Sequence, residues 1–385
     1  MAEEIKAQED NDYKLPKNKV VTIFKSLVTI IGLLANLTTL ITLTLNNDEF
    51  PRNGRIFLFH QAVADTIVCL IGIGIYTQDF MWLTGNSTFD LLLCQAWHGQ
   101  VLYWGTVLVS VWNVVLIAFE RFIVINKVND PGKYRVITGK DISKIFISIY
   151  SLSFILMLPA YFTVKYEVTN DKPKCEPKYY IDGEAFEAFM VFYGVLWFFV
   201  VYAIPIACLI ALYKKMSLTL HKQKQTFREL IGQSNSVALS LDVANRQITK
   251  TAVVVAIAFV ISLSWDAFYC LLGYTGAVTY KFNGPLQVTG VFLATFHSCA
   301  NPFIYVATMP IFRQSLKKTF SCGRGTRPNI SSLSFQYKNT GDKISAHDNP
   351  DAKIDIRSPS KFFKFSDTSE TKQLSTDKSV TRSQT

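Results

Sequence analysis

Apolar residues in this chain gather into long blocks instead of alternating with polar ones. Seven blocks run at 20–45, 57–76, 101–125, 145–164, 188–213, 251–274 and 286–309. Each reaches the length of about 20 residues that a helix needs to cross a bilayer. The pattern predicts an all-α membrane protein, a seven-transmembrane helix bundle. A buried soluble core would need a polar stripe along each helix, and these blocks lack one. After the seventh block, residues 310–320 alternate in helical fashion between apolar and basic, which predicts a short amphipathic eighth helix. Lys25 falls inside the first block, close enough to its end to snorkel.

Composition supports this layout. Hydrophobic residues are 49% of the chain and charged ones 18%, below the roughly 25% of an average soluble protein. The net charge of +10 sits largely on one side of the expected membrane, so it points to no nucleic acid partner. With the N-terminus outside, the external segments hold 9 Lys and Arg and the internal ones 28. Without the termini the short loops still give 5 against 14. The positive-inside rule therefore predicts an extracellular N-terminus and a cytoplasmic C-terminus. Residues 1–19 read as a hydrophilic extracellular segment, 20–321 as the bundle, and 322–385 as a disordered cytoplasmic tail rich in Ser and Thr.

Cys69, Cys208, Cys270 and Cys299 fall inside the blocks as small buried thiols. Cys322, just past the amphipathic stretch, is placed for palmitoylation. Cys94 and Cys175 both fall in external loops. They are either two unrelated thiols or a bond tying the loop 165–184 over the mouth of the bundle. That loop alternates in part, at Tyr166 and Val168, then Asn170-Asp171, then Tyr179-Tyr180, a pattern compatible with a hairpin around Cys175. Asn86-Ser87-Thr88 is a glycosylation sequon on the external side.

Polar residues inside the blocks are costly in lipid and should face inward. Asn36, Asp65, Ser110, His297, Ser298 and Asn301 are of this kind. A carboxylate at mid-membrane needs a proton or a cation. The hydroxyl and amide oxygens of Ser110, Ser298 and Asn301 are hard ligands suited to sodium around Asp65. In the third block, Tyr103, Ser110 and Arg121 are separated by whole numbers of helical turns and share a face. Arg121, beside Glu120 at the inner boundary, is either an interfacial anchor or a switch that changes partners.

The chain resembles the rhodopsin-like (class A) G-protein-coupled receptors over about residues 20–322. The resemblance is carried by Ala35-Asn36, Ala62-Val63-Ala64-Asp65, Cys94, Glu120-Arg121-Phe122, Pro159, Cys175, Pro205, Tyr213 and Asn301-Pro302-Phe303-Ile304-Tyr305, followed by Phe312 and Arg313. It implies a receptor, not an enzyme, in the plasma membrane, with an extracellular ligand and a heterotrimeric G protein as partners. It further implies a receptor kinase and arrestin at the phosphorylated tail, contacts with membrane lipid, and no cofactor beyond a sodium ion as allosteric ligand. Glu120, Arg121, Phe122, Tyr213, Asn301, Pro302 and Tyr305 would form the switch. Tyr103, Trp265 and Thr295 would line the ligand pocket.

Departures from the family pattern narrow the expectation. The sixth block reads Ser264-Trp265-Asp266-Ala267 without the usual proline, so either Trp265 or Leu263 holds the tryptophan's place. Cys94 lies 27 residues before Arg121, two more than usual. No acid stands where the sixth block would pair with Arg121; Asp242 comes several residues early. Amine receptors carry Asp where Tyr103 stands, and opsins carry the retinal Lys where Thr295 stands. The resemblance thus implies a peptide-type receptor, of an invertebrate kind, with a neuropeptide as ligand. A lipid or other small molecule is the alternative on the same fold, and a transporter or channel the alternative of another class.

Overall fold

A computed structural model describes residues 19–77, 84, 86–129, 133, 137–161, 164–169, 172–177, 184–231, 236–281 and 284–321. These all fall in one compact unit, Met1–Gly325, and the second unit, Thr326–Thr385, lies outside the described residues. The long helices are α1 (Lys19–Leu45), α2 (Arg52–Thr77), α4 (Val101–Asn129) and α5 (Gly139–Leu156), then α7 (Glu184–Phe198), α8 (Ile204–Ile231), α9 (Ser236–Tyr274) and α10 (Pro285–Thr308). Short helices are α3 (Ser87–Leu93), α6 (Leu158–Tyr161) and α11 (Pro310–Phe320).

The bundle is apolar outside and holds its polar span residues inside, among an apolar core. On α1, Thr29, Asn36, Thr39 and Thr42 are buried while Phe24, Leu27, Ile31 and Leu34 are exposed. Water would favour the reverse; lipid favours this. The threonines return their hydroxyl hydrogens to carbonyls one turn back, so they meet no lipid unsatisfied. Among the described residues, five helical stretches are long and apolar enough to cross a membrane: Lys19–Leu45, Arg52–Thr77, Ser87–Lys127, Ala188–Gln223 and Val253–Tyr274. The first turns of α5 carry Lys140, Asp141 and Lys144, and α10 buries Gln287, His297, Ser298 and Asn301, which lowers the hydropathy of both.

Prolines punctuate the bundle. Pro205 lacks the N–H that a helix needs at that point, and the chain widens into a π turn, Phe199–Ala203, just before it. Met157 interrupts the α5–α6 run ahead of Pro159, and the chain is extended from Val164, so the fourth apolar block ends earlier as helix than the hydropathy predicts. Pro302 lies inside α10 and leaves the Ser298 carbonyl without its helical donor. Asn36 Nδ2 fills that place at 3.1 Å, which couples α1 to α10.

The expectation of an all-helical chain needs one amendment. The predicted hairpin forms as β1 (Val164–Thr169) and β2 (Lys172–Pro177), antiparallel, with Tyr166 opposite Cys175. The turn residues 170 and 171 lie outside the described residues. Helix α8 runs past the fifth apolar block to Ile231, and α9 begins 15 residues before the sixth, at Ser236. Helix α11 follows α10 after Met309 alone and docks through Phe312, whose ring meets Phe50 and Tyr305 edge-on.

Candidate functional site

Asp65 is fully buried on α2 and every recorded bond to it comes from a donor. Ser110 Oγ reaches Oδ1 at 2.8 Å and Asn301 Nδ2 reaches Oδ2 at 2.8 Å. Gln61, one turn back on α2, straddles both oxygens with Nε2 at 3.1 Å. Asn113 Nδ2 donates to Gln61 Oε1 at 2.8 Å, which fixes the direction of the Gln61 amide. The Ser298 hydroxyl also lies beside the carboxyl. His297, buried in the same layer, joins no bond and meets Phe259 edge-on instead. Cys69 and Cys299 stand 3.7 Å apart, sulfur to sulfur.

The oxygens around Asp65 fit a hard monovalent cation. The carboxylate, the Ser110 and Ser298 hydroxyls and the unpartnered Asn301 Oδ1 are all present. Gln61 is the departure. Its amide hydrogens cover both carboxylate oxygens and compete with a cation for them.

Toward the hairpin end, Tyr103 is fully buried and bonds the Val291 carbonyl at 2.7 Å and Thr295 Oγ1 at 2.8 Å. Tyr76 reaches the same Thr295 hydroxyl at 2.8 Å. Tyr103 and Thr295 are therefore brought together as expected, in a hydroxyl knot joining α2, α4 and α10. Trp265 is not part of this group. It is 42% exposed on the outer face of α9 and its indole donates to the Leu286 carbonyl at 2.8 Å. The inward face of α9 is made by Phe259, Leu263, Asp266, Ala267 and Cys270, all buried. Leu263 thus holds the inward place and Trp265, two residues on, is turned away from the pocket.

At this end the hairpin is tied to the segment before α4. Cys94 and Cys175 are bonded, with Cα atoms 5.5 Å apart. Cys94 opens a π turn, Cys94–His98, and Gln100 follows in the left-handed region at φ 55 before α4 begins. This wide turn takes up the extra residues between Cys94 and Arg121. Tyr166 of β1 donates to Asp90 Oδ2 at 3.5 Å, and Thr84 holds the other oxygen. Asn86 is exposed and caps α3, its Oδ1 accepting from Thr88 and Phe89.

At the opposite end, Arg121 Nε lies 3.1 Å from Glu120 Oε2, both largely sheltered. The guanidinium rests on Gly54 of α2, where a Cβ would overlap Nη2. Tyr305 is buried against Phe312, while Tyr213 is half-buried; among the described residues neither is bonded to Arg121. Phe122 stacks on Phe119. Nearby, Glu49 accepts from Lys318 at 2.8 Å and from Ser315 of α11. Cys322 and the tail lie outside the described residues, and so does the side chain of Asp242.

Sequence reasoning missed Gln61, Asn113 and Tyr76, although Gln61 stands one turn from Asp65 on the same face. It also passed over Asp266 as a buried charge. The rule applied to Asp65 would have found it.

A helical bundle with an apolar exterior and polar groups buried within it defines a multi-pass membrane protein. The family described as 7 transmembrane receptor (rhodopsin family) matches residues 35–305, and the chain belongs to that family, whose members are receptors and not enzymes. It is 25% identical to Opsin-VA of Rutilus rutilus over 69% of this chain and 64% of that protein. It is 24% identical to the Substance-K receptor of Canis lupus familiaris over 69% of this chain and 66% of that one. It is 24% identical to Neuromedin-U receptor 1 of Rattus norvegicus over 78% and 72% respectively. The chain spans between 55% and 64% of the length of the first opsins it matches.

Proposed function

We propose that the chain crosses the plasma membrane seven times, N-terminus outside, and activates a heterotrimeric G protein when an extracellular peptide binds beneath the hairpin. The observation that carries this reading is the buried Glu120–Arg121 pair at the end opposite the disulfide-tied hairpin. A neighbouring carboxylate neutralises the guanidinium in the resting state. Outward movement of α9 would release Arg121 toward the G protein, with Tyr213 and Tyr305 closing in as hydroxyl partners. Similarity to receptors for substance K and neuromedin U supports a peptide. Thr295, where opsins carry their retinal lysine, argues against a photoreceptor although opsins are among the similar proteins. Sodium at Asp65, Ser110, Ser298 and Asn301 would favour the resting state. Asn86 as a glycan site, Cys322 as a lipid site, and the tail as a substrate for receptor kinase and arrestin complete the proposal.

The test is nucleotide exchange on co-expressed G proteins, with and without a panel of synthetic neuropeptides. Ligand-independent exchange is expected, because among the described residues Glu120 is the acid that holds Arg121. Glu120→Gln should raise it and Arg121→Ala should abolish it at unchanged surface expression. Undiminished exchange by a well-expressed Arg121→Ala receptor overturns the reading.

A further inference from the structure

A second carboxylate is buried in the bundle, apart from the Asp65 network. Asp266 is 1% exposed on the inward face of α9. Its Oδ1 has a long contact from the Cys270 thiol at 3.8 Å, and Oδ2 has no partner. Among the described residues no Lys or Arg is paired with it. The Trp197 indole N–H lies beside the carboxyl but outside bonding geometry. Gly290 on α10 makes room, since a Cβ there would come within 3.1 Å of Asp266 Oδ1. One turn outward on α10, Gln287 is 1% exposed, with Nε2 held by Gln100 at 2.9 Å and Oε1 unpartnered.

Around these two open acceptors the walls are aromatic. Trp197 meets Trp104 edge-on at 5.8 Å and Tyr193 at 6.4 Å, and Tyr193 meets Tyr274 at 6.1 Å. Tyr103 and Tyr280 lie within electrostatic reach of Asp266. A buried, unpaired carboxylate is unfavourable unless something compensates it. A carboxylate walled by aromatic rings is a setting that suits a cation. Asp266 lies about 12 Å inward of the outer end of α9 at Tyr274, at a helical rise of about 1.5 Å per residue.

We propose that Asp266 and Gln287, beside the rings of Trp197 and Tyr193, receive a cationic group of the ligand, a protonated amine or a guanidinium, entering from the hairpin side. This rests on the receptor reading above, in that the cation belongs to the activating ligand. Tyr103 gives α4 no carboxylate at its pocket position; α9 supplies one from the facing wall.

The purified receptor in detergent is melted with choline and with tyramine, each against its neutral counterpart, 3,3-dimethylbutan-1-ol and 4-ethylphenol. A tetrapeptide library is run in parallel, made once with free and once with acetylated amino termini. Cationic members are expected to raise the melting temperature and their neutral partners not to. Asp266→Asn should weaken the response at least about tenfold, as loss of a buried charge partner does. Trp197→Phe, which keeps the ring, should retain the response, and Trp197→Leu should lose several-fold. A response confined to free-amino peptides assigns the cation to a peptide, and one confined to choline or tyramine assigns it to a small amine; either supports the site. Absence of stabilisation by every cationic member, or equal stabilisation of Asp266→Asn, overturns it. Nucleotide exchange in the unmutated receptor and in Arg121→Ala is read separately. Cation binding to an unmutated receptor whose exchange equals that of Arg121→Ala under every condition would remove the receptor reading and leave this site standing.

Discussion

Single side chains in the bundle are held by what the backbone cannot supply. Pro302 frees a carbonyl and Asn36 takes it; Asn113 orients Gln61, and Gln61 covers Asp65. The last of these carries a prediction. If Gln61 competes with sodium for the carboxylate, Gln61→Leu should increase the sodium sensitivity of agonist binding by several-fold, an effect on the order of 1 kcal/mol. Asp65→Asn should eliminate that sensitivity. Agonist affinities titrated against sodium chloride, with potassium chloride holding ionic strength, give the answer, and an unchanged midpoint in Gln61→Leu would show that the amide does not compete.

At the scale of elements, two attachments decide how the ends are organised. The hairpin is fixed by Cys94–Cys175 and by Tyr166 on Asp90. Replacing either cysteine should lower ligand binding and surface expression, and replacing both should be no worse than one; removal of a native disulfide costs about 2–5 kcal/mol in small domains. Binding assays on the two single variants and the double variant test this, and a double variant markedly worse than either single would contradict it. At the other end, α11 is attached through Glu49. Burial pushes its carboxyl up, but the bonds from Lys318 and Ser315 and the Lys318 charge outweigh it and leave the group below its usual value. A depressed carboxylate stabilises the fold above its unfolded pKa of about 4.3 and loses that contribution as pH falls through the folded value. Amide protection in residues 310–320, taken relative to the intrinsic exchange rate at each pH, should therefore fall below about pH 4, while Glu49→Gln should be less protected at neutral pH and lack the acid step.

Across the whole molecule, Gly54 determines where Arg121 rests. An added methyl at Gly54 overlaps the end of a flexible side chain, not a backbone, so the fold should survive while the guanidinium moves. Gly54→Ala is expected to raise ligand-independent nucleotide exchange several-fold at normal surface expression. Exchange equal to the unmutated receptor would mean that Arg121 has room to spare.

The apolar blocks made the helical bundle legible, because lipid requires long uncharged helices and little else produces them. The hairpin was legible from its alternation, and the hydroxyl and carboxylate positions of the axis from their cost in lipid. The polar segment from Lys214 reads at its start as a basic continuation of the fifth block, as α8 bears out. The length of that extension and the early start of α9 were not legible. Residues 214–231 and 236–250 are polar, and hydropathy does not distinguish a wet helix from a loop. Leu263 against Trp265 was also open, since the missing proline removed the landmark that fixes the register. Asp266 was visible as a charge in a span, yet its lack of a paired Lys or Arg among the described residues is a property of the packed helices and not of the string.

Helix α9 runs without interruption from Ser236 to Tyr274 and contains no proline. A rod of this kind would act as a lever, not a hinge. Taking the buried Leu263 as fulcrum, the arm to Ser236 is about 40 Å and the arm to Tyr274 about 16 Å, at about 1.5 Å per residue. A shift of about 2 Å at the outer tip, of the size a side chain makes in closing on a small group, becomes about 5 Å at the inner tip by proportion of those arms. Stiffness in this one rod would convert a small rearrangement among aromatic rings into an opening wide enough to admit another protein's helix end.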